Sequence, residues 1–216
     1  MLNMRSLWRA SAAAAGALVI MLAASSAAAD ILDDWATVKP PPRPELKAVT
    51  LEASTTALLI LDMSKTGSCS ARPRCLATIP NIKRLHAAAR AAGAMLRYSI
   101  SANSTPADMI DPGIIPREGE YARQGGPDKF LGSNLEEKLK ARGIKTVVVC
   151  GTSFQGVGIG TGSGAAQRGY KVIIPIDCLS SEDPYMEQYA AWHFFKGGPA
   201  GITSHTTLTR STMVKF

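Results

Sequence analysis

Residues 147–174, VVVCGTSFQGVGIGTGSGAAQRGYKVII, constrain the fold more than any other stretch of the chain. They read as strand, glycine-containing turn, small-residue helix, glycine and strand, the pattern of a βαβ unit. Val147–Cys150 is an unbroken apolar run, as a strand buried on both faces requires. Gly151-Thr152-Ser153 breaks that run where the chain must turn into a helix. In open α/β sheets ligands bind just beyond the carboxyl ends of the strands, so a reacting group is expected at this turn.

The rest of the chain repeats the alternation. Ala57–Leu61 is apolar until Asp62, and Ala94–Ile100 forms a second strand after a periodic helix at Ile79–Ala92 closed by Gly93. Ser133 and Glu136 have capping-box spacing ahead of a helix over Asn134–Arg142, and Gly143 ends it. Strands are expected at Ile144–Cys150, Lys171–Asp177 and Ser204–Thr209, with a helix over Asp183–Phe195. Alternation of this kind predicts an α/β, Rossmann-like single domain: three αβα layers around a doubly wound, mainly parallel sheet with right-handed crossovers. Residues 101–128 are polar and rich in Gly and Pro, which suits a lid or binding loop better than a spacer.

Residues 1–29 have the make-up of a secretory signal: Arg5 and Arg9, an apolar core over Ala12–Ala24, and Ala27-Ala28-Ala29 as a cleavage motif. The apolar core is shorter than the roughly 20 residues that span a bilayer. Cleavage after Ala29 is therefore expected, giving a periplasmic or secreted protein with no membrane attachment. An N-terminal arm at 30–53, marked by Pro40-Pro41-Pro42 and Pro44, would precede a domain at 54–216. Without residues 1–29 the chain has 22 basic against 17 acidic residues. That surplus is spread out, and the basic cluster Lys138, Lys140, Arg142 and Lys145 has the spacing of a solvated helix face. Nucleic-acid binding is not expected. The partners expected are a small-molecule substrate or ligand and further copies of the chain in a homo-oligomer.

Of four cysteines, Cys69 and Cys75 bracket the short loop Ser70–Arg74 and are expected to bridge in an oxidising compartment, two free thiols being the alternative. Cys150 ends a buried strand, and Cys178 ends the next one; both are read as structural.

The same stretch, aligned without gaps from Gly151 to Tyr170, resembles the isochorismatase-like family, often called the cysteine hydrolases. Gly156, Thr161, Ala165, Arg168, Gly169 and Tyr170 fall on that family's pattern. The resemblance implies the fold above and a pocket at the turn, with Gly151, Thr152, Ser153, Phe154, Gly156 and Val157 binding substrate. It also places the family's nucleophilic cysteine on Val157, which has no lone pair or proton to offer. Leu59-Ile60-Leu61-Asp62-Met63 matches the family's strand-end aspartate, implying that Asp62 is catalytic; a partly desolvated carboxylate suits proton transfer. The family's lysine stands six residues before a Phe-x-x-Thr-x-Leu pattern. Here Phe130–Leu135 carries that pattern with Ser133 for Thr, six before is Gln124, and the adjacent Lys129 is the substitute candidate.

No cofactor and no metal are expected. Family members that bind metal use histidines after the second strand, and residues 99–128 contain none. His86, His193 and His205 are read as packing or surface residues. Gly158-Ile159-Gly160-Thr161-Gly162-Ser163 carries only the first half of a dinucleotide glycine motif. The function the resemblance implies is an exported hydrolase using Asp-based acid/base chemistry without a thiolate. The alternatives are a catalytically silent small-molecule binding protein on the same fold, and a cysteine enzyme using Cys69 or Cys178.

Overall fold

The strand–helix–strand unit over 147–174 is present in the computed structural model, which describes residues 30–65, 69–100, 104–123 and 126–216, Arg123 by its backbone alone. The leader read at 1–29 and Gln124 lie outside the described residues. Asp30 caps a one-turn helix α1 (Ile31–Asp34) by accepting from the amides of Leu32 and Asp33. Residues 30–40 and 41–216 are separate units.

In the second unit, β1 (Val49–Thr50) pairs with β9 (Val214–Lys215) in a small parallel ladder. The main sheet is built from β2 (Thr56–Leu61), β3 (Met95–Ile100), β4 (Tyr121–Arg123), β5 (Thr146–Thr152), β6 (Lys171–Pro175), β7 (Leu179–Ser180) and β8 (Thr206–Thr209). Its order is β4-β3-β2-β5-β6-β8, with β7 pairing to β5, and every ladder is parallel. The chain builds outward from β2 in one direction and from β5 in the other. The boundary between β2 and β5 is therefore the switch point of the sheet, where ends open into a crevice.

Alternation along the strands divides the core in two. Leu58, Ile60, Val148, Cys150 and Ile173 face helix α2 (Pro73–Ala91) through Ile82, Leu85 and Ala89. Leu59, Leu61, Val147, Val149, Val172 and Ile174 face helices α3 (Leu135–Ala141), α4 (Ile159–Gln167), α5 (Pro184–Trp192) and α6 (Ala200–Thr203). This is the three-layer arrangement expected, because strands apolar on both faces need cover on both. No helix among the described residues is long and apolar enough to cross a membrane.

Several boundaries differ from the sequence reading. α2 starts six residues early because Pro73, with its fixed φ and missing N–H, is suited to the first helical turn; Pro80 is carried inside. The capping box does not form. α3 begins at Leu135, so Asn134 occupies the cap, Ser133 Oγ accepts from Leu135 N, and Glu136 pairs instead with Arg168 and Lys140. The strand expected to run to Asp177 stops at Pro175; Ile176–Cys178 form a 3-10 turn that returns the chain to β5 as β7. The segment 101–128 is not a plain loop. It holds proline-led turns at Pro106–Asp108 and Pro112–Ile114 and contributes β4 to the sheet edge.

Cys69 and Cys75 form a disulfide with α-carbons 5.3 Å apart. Cys75 Sγ lies 3.8 Å from Met63 Sδ, so the bridge ties the first turn of α2 to the segment that follows β2. Closing so short a loop restricts the unfolded chain by about 2 kcal/mol. Reduction, or Cys69→Ser with Cys75→Ser, is expected to lower unfolding stability by about that amount, read as a shifted urea midpoint. Cys150 and Cys178 are free and buried. Burial, with Cys150 alongside, pushes the Cys178 thiol well up.

Candidate active site at the sheet switch point

Leu61, the last residue of β2, is in register with Gly151 of β5. The residue that follows, Asp62, has φ of +53°, and no other non-glycine among the described residues has positive φ. Aspartate tolerates this left-handed conformation better than most residues but still pays for it, and such strain is characteristically kept at functional positions. The backbone is held there by Asp62 N–H donating to the carbonyl of Ser99 at 3.1 Å.

Both carboxylate oxygens of Asp62 are engaged. Ser99 Oγ donates to Oδ1 at 2.7 Å, and Lys129 Nζ donates to Oδ2 at 2.9 Å. Lys129 also donates to the carbonyl of Gly126 at 3.0 Å. Its side chain is only 2 % exposed, against 15 % for Asp62. The result is a buried ammonium behind a carboxylate that reaches the surface. Lys129, adjacent to Phe130 instead of six residues before it, thus stands against Asp62.

Ser99 was not singled out in the sequence. Its signal was an alternation of polar residues, Arg97 and Ser99, on a strand that is otherwise apolar apart from the hydroxyl of Tyr98. Register places Arg97 beside Leu59 and Ser99 beside Leu61, so both face the layer that carries Lys129. Arg97 is 6 % exposed, donates to the carbonyl of Gly119 and leaves Nε without a partner. Burial pushes its guanidinium pKa down, with the charge of Glu120 opposing. A cavity of about 20 Å³, room for about one water molecule, lies between Arg97, Ser99, Lys129, Ser133 and Leu135.

On the β5 side, the peptide joining Thr152 to Ser153 is cis, and the chain enters a wide helical turn at Phe154–Gly158 that leads into α4. Gly151 and Thr152 are buried; Ser153 and Gly156 are half-exposed. Phe154 stacks on Phe194 at 6.2 Å between centroids and joins the core, as does Val157. Of the six pocket residues expected from sequence, Ser153 and Gly156 have accessible surface, while Phe154 and Val157 are turned into the core. The amides of Gly156 and Gly158 both donate to the carbonyl of Ser153, so neither heads an open anion cradle.

The histidines lie elsewhere. His86 is buried edge-on to Tyr98, and His193 Nε2 lies 2.9 Å from Ser163 Oγ with its ring against Phe194. Burial pushes both imidazole pKa values down. Among the described residues no group of three or more His, Cys, Asp or Glu side chains could hold a metal ion. The arrangement at the switch point is suited to moving a proton at a carboxylate whose charge is balanced from behind.

The isochorismatase domain model matches residues 56–207, a span that begins at β2 and ends in β8. The chain belongs to the isochorismatase-like hydrolase family. N-carbamoylsarcosine amidase of an Arthrobacter species is 28 % identical in an alignment of 138 residues that covers 51 % of this chain and 52 % of that one. The match thus spans about half the length of that relative. An isochorismatase family protein from Desulfovibrio vulgaris superposes with a TM-score of 0.64 at 24 % identity, over 73 % of this chain and 95 % of that one. A cysteine hydrolase from Pseudomonas syringae pv. phaseolicola gives 0.64 at 18 % identity, over 80 % and 95 %. At these identities the two structures show a shared fold.

Proposed function

We propose that this isochorismatase-like protein is an exported hydrolase of a small molecule that uses Asp62 for proton transfer and forms no thioester. The observation that carries the reading is the Asp62–Lys129 pair at the switch point, a strained, partly exposed carboxylate backed by a buried ammonium. Val157, at the position the family gives its cysteine, faces the core and has no nucleophilic atom. Water is then the nucleophile. Asp62 takes a proton from water as its oxygen bonds to the substrate carbon, and returns that proton to the leaving group as the scissile bond breaks. Lys129 donates to Asp62 and to Gly126, so it steadies the carboxylate before it serves any substrate group. Ser99 fixes the carboxylate plane. The relative named for N-carbamoylsarcosine makes small ureido and amide compounds the first substrates to try, with vinyl ethers beside them.

The test is a hydrolysis panel of such compounds on protein beginning at Asp30, the N-terminus expected on exported material. Asp62→Asn should lower turnover by about 100-fold or more in protein shown to be folded by circular dichroism. Iodoacetamide should leave turnover unchanged, because Cys150 and Cys178 are fully buried and the other two cysteines are bonded. Turnover abolished by iodoacetamide with the fold intact would overturn the thiol-free mechanism. Ligand affinity that responds to Asp62→Asn in protein that never turns over would identify a binding protein.

A further inference from the structure

Lys129 reaches Asp62 from a segment that belongs to no helix or strand, so something must hold that backbone in place. The segment Pro127-Asp128-Lys129 lies against α4, and one buried side chain grips it on both sides of Asp128. Thr161 Oγ1 donates to the carbonyl of Pro127 at 2.9 Å and accepts from the amide of Lys129 at 3.2 Å. Thr161 is fully buried, so its hydroxyl has no solvent to trade against these bonds.

The neighbours of Thr161 on α4 allow the grip to be this close. A β-carbon on Gly160 would stand 2.7 Å from the carbonyl carbon and oxygen of Pro127 and 3.0 Å from the amide nitrogen of Asp128. One on Gly164, a turn further along, would stand 2.7 Å from Asp128 Oδ1. Real β-carbons do not approach backbone atoms so closely, so any larger residue at 160 pushes the segment off the helix. Gly158 and Gly162 serve other contacts, against Phe154 and Phe194. The far end of the segment is tied down separately: Asp128 Oδ1 accepts from Phe130 N, and Ser133 Oγ donates to the carbonyl of Lys129.

We propose that Thr161, seated between Gly160 and Gly164, is the positioning residue for Lys129, and that its two hydrogen bonds set where the ammonium meets Asp62. Gly160 and Gly164 are explained by this contact, as Gly158 and Gly162 are by theirs, without a nucleotide. Thr161 touches no reacting atom in this arrangement. It acts through Lys129, so it bears on the proposed chemistry, but the contact stands whether or not the protein hydrolyses anything.

The experiment needs no substrate. Full-length mature protein is pulsed with an amine-acetylating reagent under native conditions, and the acetylation rate of each lysine is read by mass spectrometry. In the wild type Lys129 should react far more slowly than the exposed Lys171. Thr161→Val, which keeps the shape and removes the hydroxyl, should raise the Lys129 rate about tenfold or more, the effect on a local opening equilibrium of losing one to two hydrogen bonds. Thr161→Ser should restore protection to within about twofold, since it restores both bonds. Thr78→Val, which removes the buried hydroxyl that donates to the carbonyl of Cys75 at 2.7 Å in α2, is the control for general loosening. Lys129 should stay protected there. Protection unchanged in Thr161→Val, exposure equal in Thr78→Val, or failure of serine to rescue would each overturn the proposal. The expected footprint in a protein without turnover would sink the hydrolase reading and leave this one standing.

Discussion

Asp62→Ala should destabilise the protein by about 3–5 kcal/mol, several times more than Lys129→Met at the other end of the same ion pair. The difference follows from burial. The Lys129 side chain is 2 % exposed, and without Asp62 its ammonium stays desolvated, keeping the Gly126 carbonyl but losing the carboxylate at 2.9 Å. Asp62 is 15 % exposed, and without Lys129 it still accepts from Ser99 Oγ and can turn toward water. Lys129→Met also substitutes an apolar side chain of similar length, so it should cost about 1–2 kcal/mol. The double variant Asp62→Ala/Lys129→Met should recover much of what Asp62→Ala loses, the coupling expected of two groups in contact. Urea unfolding of the four proteins measures all three quantities. Equal losses in the two single variants, or simple additivity in the double, would show that the pair is not buried as described.

Gly151→Ala should prevent folding or cost more than about 4 kcal/mol, in the exceptional range for a single methyl group. Gly151 has φ of +133°, a conformation that residues with a β-carbon rarely adopt. A β-carbon there would stand 2.1 Å from the carbonyl oxygen of Leu61 and 2.8 Å from its amide nitrogen. Those atoms belong to the neighbouring central strand, so neither partner can withdraw without breaking the β2–β5 ladder. Gly169→Ala separates the two causes. Gly169 also has positive φ, at +83°, but nothing lies within 4 Å of its would-be β-carbon. It should cost only the strain, about 1–2 kcal/mol. Soluble yield and urea midpoints of the two variants decide the matter. Similar behaviour at both sites would mean that the close approach of β2 and β5 is not what requires Gly151.

The architecture was legible because its signals are local. Apolar runs at Ala57–Leu61, Val147–Cys150 and Val172–Pro175, separated by helical periods and glycine stops, leave a parallel sheet covered on both faces as the consistent solution. A doubly wound sheet of this kind opens a crevice at the carboxyl ends of its central strands, which is where Asp62 and Gly151 meet. The disulfide was legible for the same reason, as two cysteines six residues apart with a short polar loop between them. The strands that were missed, β1, β4, β7 and β9, are two or three residues long. They exist because a neighbouring strand offers unpaired hydrogen-bonding groups, which no period in so short a segment can announce.

By itself the sequence determined the layers of this protein, the strand that presents Asp62, and the turn at Gly151–Val157, since burial patterns and turn chemistry act over a few neighbouring residues. Only the tertiary structure decided the side-chain contacts around that turn. Lys129 lies 67 residues from Asp62 and Thr161 a further 32 from Lys129, and their contacts depend on how closely backbone can approach backbone. The same holds for the inward turn of Phe154 and Val157 and for the unpaired Nε of Arg97. Each is settled by the packing of layers against one another, where one hydroxyl or one missing β-carbon decides a contact and leaves no periodic trace in the chain.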